Sequence, residues 1–145
     1  MSSSYFVTPY DPIAWRDGEP NPKPTSDLRI DFHDFAQKLA GRRPGIKVHL
    51  GGGESNVALA WEFPLPPQIA RNYGGTTGIL FDDLQLVSLS RDYDGKFQGF
   101  LTWYRTYIPV IHRLWFFHET SWERLELALQ TTDDDIVAFR KKYKL

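Results

Sequence analysis

The chain is predicted to be an α+β domain built on a mostly antiparallel sheet, and three observations carry that expectation. Short β-prone runs succeed one another across turns marked by glycine or proline, which favours antiparallel neighbours. Three other stretches show helical spacing or a helix cap with a matching charge gradient. Aromatic residues make up 15% of the 145 positions, including 5 Trp and 10 Phe, which is ample bulk for one core. We expect a single domain over residues 1–145 with about six to seven strands and three helices, in the order β-α-β-β-β-β-α-β-β-α.

The first strand is Tyr5 to Thr8, ended by Pro9. Pro9, Pro12, Pro20, Pro22 and Pro24 then punctuate a segment expected to be neither helix nor central strand, but an ordered surface loop. Asp31 reads as an N-cap, with Ile30 as the staple partner of Phe35. Phe32, Phe35, Ala36 and Leu39 share one helical face, and Gly41 with Pro44 stops the helix. Ile46, Val48 and Leu50 alternate with polar neighbours, Gly51-Gly52-Gly53 turns the chain, and Val57, Leu59, Trp61 and Phe63 alternate again. That pattern is a hairpin with one covered face. Gly74 to Gly78 reads as a loop before the strand Ile79-Leu80-Phe81, and Asp82-Asp83 turns into Leu84 to Ser90, a second hairpin.

A second helix is expected from about Tyr93 to Tyr107, with Phe97, Phe100, Leu101, Tyr104 and Ile108 as its buried stripe and Pro109 as its stop. Leu114 to Phe117 is four apolar residues in a row, the mark of a central strand covered on both faces. Its neighbour is the alternation of Leu125, Leu127 and Leu129. Thr132 caps the last helix. Asp133, Asp134 and Asp135 in its first turn, and Arg140, Lys141, Lys142 and Lys144 at its end, complement the helix dipole.

Composition removes several chemistries. With no cysteine there is no disulfide, thiolate nucleophile, Cys-based zinc site or iron–sulfur cluster. A net charge of -1 lacks the basic face of a nucleic-acid binder, so no nucleic-acid partner is expected. No apolar run reaches membrane-spanning length, and the opening residues show neither the basic region nor the apolar core of a secretory signal. The expected location is the cytoplasm, without membrane association.

The motifs are equally sparing. Gly51-Gly52-Gly53 is followed by Glu54 and a strand, rather than by the Lys-Ser/Thr and helix of a phosphate loop. Asp92-Tyr93-Asp94-Gly95 resembles the opening of a calcium loop, but Trp103 stands where the closing Glu belongs. His33, His49, His112 and His118 are spread along the chain, and no cofactor or metal is expected. Only His118-Glu119-Thr120-Ser121 joins base, acid and hydroxyls in one place. Nucleophilic chemistry needs such groups converging from separate segments, so a polar turn is the favoured reading and no residue is assigned a catalytic role. Trp103 and Tyr107 lie four apart, off the main stripe of the second helix, where core packing and a docking patch compete as explanations. Trp122, in a loop between Glu119 and Glu123, is a further candidate anchor. The candidate binding residues are therefore Trp103, Tyr107, Trp122, Glu119 and Glu123.

Residues 97–139 carry a recognisable cadence: Trp103-Tyr104-Arg105, Ile108-Pro109, the apolar strand with His118-Glu119, a leucine-alternating strand, then Thr132 and Asp135 opening a helix. In this the chain resembles small bacterial proteins, among them immunity proteins that neutralise polymorphic toxins. The resemblance implies a non-catalytic protein-binding module whose partner is another protein. It rests on no catalytic signature and transfers no individual functional residue. A small hydrolase-like enzyme using His118 and Glu119 is the alternative, and a homodimerising structural subunit is a third reading.

Overall fold

The computed structural model describes residues 4–18, 27–42, 44–51, 56–68, 76–82, 85–90 and 96–145. Its strands are β1 (Ser4–Thr8), β2 (Lys47–Leu50), β3 (Val57–Phe63), β4 (Thr76–Phe81), β5 (Val87–Ser90), β6 (Trp115–His118) and β7 (Arg124–Glu126). Its helices are α1 (Phe32–Arg42), α2 (Phe100–Tyr107) and α3 (Asp133–Tyr143), so the expected α+β class and element order both hold. The seven strands form one antiparallel sheet in the order β2-β3-β4-β5-β1-β6-β7. The first strand of the chain therefore lies inside the sheet, between β5 and β6.

The core sits between one face of this sheet and the three helices. Tyr5 and Val7 of β1 point into it, beside Leu89 and Val87 of β5 and beside His118 and Phe116 of β6. Phe116 stacks on Tyr5 at 5.7 Å and meets Phe139 of α3 at 6.1 Å. On the opposite face, Trp115 and Phe117 are buried too, as four consecutive apolar residues predict. The segment after β1 folds back towards that side: Tyr10 and Pro12 are buried, and Asp11 accepts a 2.6 Å contact from Arg124 of β7. This segment contains a single helical turn, Ile13–Arg16, where a loop was expected. Asp11 makes it, because its carboxylate accepts from the Ile13 N–H. Residues 19–26, which include the remaining prolines, lie outside the described residues.

Local signals set the helix starts. Asp31 Oδ1 accepts from the N–H groups of His33 and Asp34, and Thr132 and Asp135 form a reciprocal capping box on α3. The second helix departs from expectation. It begins at Phe100, not near Tyr93, because Phe97, Gln98 and Gly99 all have positive φ (51°, 54° and 76°) and a right-handed helix cannot run through them. Two consecutive non-glycine residues in this region cost on the order of 1–3 kcal/mol each. Phe97 offsets that strain by burying its ring against Tyr5 and Phe116. Asp92-Tyr93-Asp94-Gly95 lies outside the described residues.

Three smaller corrections follow from the sheet. β4 starts at Thr76, so Thr76, Thr77 and Gly78 pair with β3 instead of forming a loop; Gly74 and Gly75 lie outside the described residues. β7 stops at Glu126 although leucines alternate to Leu129, because Ala128 and Thr131 close a turn through Thr131 N–H to Ala128 O and Ala128 N–H to Thr131 Oγ1. Leu50 shares its face with the core, yet it is exposed, since β2 is an edge strand with nothing beyond it among the described strands.

Gly78 shows how tightly β3 and β4 are fitted. It is directly paired with Trp61, whose indole lies over its backbone and packs against Phe100 and Phe35. A Cβ on Gly78 would sit 2.2 Å from Trp61 Cε2, closer than any real contact. Gly41, in α1, has open space where a Cβ would go. Gly78→Ala should therefore destabilise the fold by about 3 kcal/mol, near the upper end for overpacking, whereas Gly41→Ala should stabilise it by about 0.5–1 kcal/mol. Urea unfolding midpoints of the two variants measure this; similar small shifts for both would contradict the packing described here.

Candidate functional site

The turn between β6 and β7 gathers most of the candidate residues, and its hydrogen bonds show what each is doing. One main-chain and one side-chain bond anchor it to β1: Glu119 N–H donates to Ser4 O, and Ser4 N–H donates to the Glu119 carboxylate Oε1 at 3.2 Å. Ser121 N–H closes the turn onto His118 O, and Ser121 Oγ accepts from Glu123 N–H. His118 is buried, edge-on to Tyr5 at 4.7 Å, with Nδ1 3.2 Å from the Thr120 N–H and 2.7 Å from Thr120 Oγ1. A main-chain N–H can only donate, so Nδ1 is an acceptor and the neutral ring carries its proton on Nε2. Burial pushes the His118 pKa below the ordinary histidine value; Glu119 opposes this and Arg140 adds to it.

These partners decide what the cluster can do. A base working on the Thr120 hydroxyl would need a carboxylate orienting the other ring nitrogen. Glu119, the acid next to it in sequence, is instead bonded to Ser4. Among the described residues no group of three His, Asp or Glu side chains converges to hold a metal. What the turn leaves in water is Trp122, 45% exposed, with Glu119 and Glu123 exposed on either side of it in sequence. A rigid turn thus presents one indole flanked by carboxylates.

Trp103 and Tyr107 have a different setting. They stack at 5.4 Å on α2 and both pack against Phe35 of α1. Arg42 lies 5.4 Å from the Trp103 ring, Lys38 lies 5.7 Å from that of Tyr107, and Tyr107 OH donates to Asp34 Oδ2 at 2.9 Å. That bond holds the Asp34 pKa below the usual carboxylate range, while burial and then Asp34 raise that of Tyr107. Both rings are half-buried. They clasp α1 to α2, and their outer rims border two clefts of about 530 and 430 Å³.

The reading from sequence missed Arg105. Its guanidinium is buried beyond the C-terminal turn of α2, where NH2 donates to Ile108 O and Pro109 O, and NH1 donates to His112 O and, at 3.4 Å, Leu127 O. One cation thereby binds carbonyls of the segments that follow α2 and β7 and ties two loops together. The same loops hold Val110, Ile111 and Leu129 out in water. The signal in the sequence is a pair of bulky aliphatics set between Pro109 and His112, where a polar turn would be ordinary.

No protein-family model matches this chain, and neither a curated protein nor a solved structure is significantly similar to it. No helix among the described residues is long and apolar enough to cross a membrane.

A depressed pKa means that neutral His118 contributes stability above the ordinary histidine range, a contribution lost as pH falls through the folded value. Nitrogen-detected NMR at neutral pH should show His118 protonated on Nε2 alone and titrating below the ordinary histidine value. A proton on Nδ1, or titration above that value, would contradict the geometry.

Proposed function

We propose that this chain is a non-catalytic protein-binding module, of the kind represented by bacterial immunity proteins that neutralise toxins, and that it works in the cytoplasm. The observation that carries the reading is the half-exposed Trp122 on a turn whose backbone is fixed by β1. Interface energy concentrates in a few aromatic or arginine anchors, and an anchor held rigid before binding loses little conformational freedom on docking. Glu119 and Glu123, exposed beside it, suit a partner with an apolar recess rimmed by lysine or arginine. Trp103 and Tyr107 offer only their rims, so they contribute as a secondary contact.

The enzyme alternative rests on the 2.7 Å approach of His118 Nδ1 to Thr120 Oγ1. Among the described residues no acid is hydrogen-bonded to that pair, and neither residue lines any of the clefts described here.

Capture of partners from native lysate on immobilised wild-type and variant chains separates the two. Trp122→Ala, at an exposed position, should keep the parental melting transition and weaken capture of a specific protein by at least about tenfold, roughly 1.4 kcal/mol. A stable His118→Gln variant should retain it. Retention by Trp122→Ala, together with a reaction abolished in His118→Gln, would overturn the proposal.

A further inference from the structure

Three aliphatic side chains stand in water at one corner of the molecule. Val110 and Ile111, between α2 and β6, are 66% and 80% exposed, and Leu129, between β7 and α3, is 56% exposed. Their loops are fixed. Arg105 binds the carbonyls of Pro109 and His112 on either side of Val110 and Ile111, and reaches Leu127 two residues before Leu129. Grouped on so constrained a backbone, these aliphatics form a small apolar patch that stays in place in water. Beside this knob lies a hole: Val110 and Leu129 wall a cleft of about 240 Å³ together with Leu127 and Ala128, and the Arg113–Glu126 ion pair stands on its rim.

We propose that the occupant of this corner is a second copy of the chain, related by a twofold axis, with Ile111 of each copy seated in the cleft of the other. An isologous contact requires knob and hole on the same patch, and here they are neighbours. The rim carries one cation and one anion, paired with each other within the chain and both substantially exposed, so a twofold axis passing between them sets each Arg113 against Glu126 of the partner subunit instead of juxtaposing like charges. The net charge of -1 leaves two copies without long-range repulsion. The corner and the Trp122 turn flank opposite ends of β6, so a dimer formed here keeps both indoles available.

Sedimentation velocity of the full chain, from micromolar to hundreds of micromolar, tests this. The wild type should show a monomer–dimer equilibrium. Ile111→Asp should raise its dissociation constant by at least about tenfold at unchanged melting temperature, and Trp122→Ala should leave it unaltered. Arg113→Glu and Glu126→Arg copies should each associate more weakly, and an equimolar mixture of the two should recover association. A wild type that stays monomeric throughout, a dimer indifferent to Ile111→Asp, or growth past the dimer would each overturn the proposal.

Discussion

The pairing of β1 on both of its edges is the constraint on which the rest of this structure depends. β5 and β6 do not touch as strands; each is hydrogen-bonded to β1, which carries the four strands β2 to β5 on one side and β6 with β7 on the other. Tyr5 shows how much converges there. Its ring meets Phe97, Phe116 and His118, the Arg140 guanidinium lies 4.7 Å above it, and Arg140 donates to its hydroxyl at 2.9 Å. Through that one side chain the left-handed turn before α2, the central strand and the last helix are referred to the same strand. The β6–β7 turn inherits its position in the same way, since Glu119 and Ser4 exchange bonds at the start of β1.

A second organising group is the Arg105 guanidinium. Burying an isolated cation is costly, and here burial does lower its pKa, but the charge is shared among three carbonyls of the segment that follows α2. Removing the side chain would take a charged hydrogen-bond partner from the Ile108 and His112 carbonyls, while Pro109 O would keep its bond from the His112 N–H. Arg105 thus orders a surface region from below: the apolar corner at Val110, Ile111 and Leu129 owes its shape to a charge that is itself hidden. The two candidate contact surfaces depend on different parts of the core, the Trp122 turn on β1 and the corner on α2.

Much of this was legible because much of it is local. Asp31 and the Thr132–Asp135 pair declare helix starts within three residues of themselves, and four consecutive apolar residues at Leu114 to Phe117 declare a strand buried on both faces. What was hidden is non-local or conformationally unusual. Nothing near Ser4 to Thr8 says that this strand inserts between β5 and β6. Phe97 and Gln98 adopt left-handed backbone with side chains that give no warning of it, so the helix start was placed too early. Arg105 fits a solvated helix face equally well by sequence, and its burial follows only from loops that return to it. Among the candidate residues, Trp122, Glu119 and Glu123 are brought together on one turn, whereas Trp103 and Tyr107 are drawn into the clasp between α1 and α2.

If β1 is the strand that joins the sheet, it cannot come away while the rest stays folded. Native-state amide exchange read residue by residue is the most direct test. The amides of Phe6 and Val7 should exchange only through global unfolding, with the same opening free energy as Phe116 and Phe117 of β6. Faster exchange of β1 amides, with β3, β4 and β6 still protected, would show a sheet that holds without its first strand and would contradict this account.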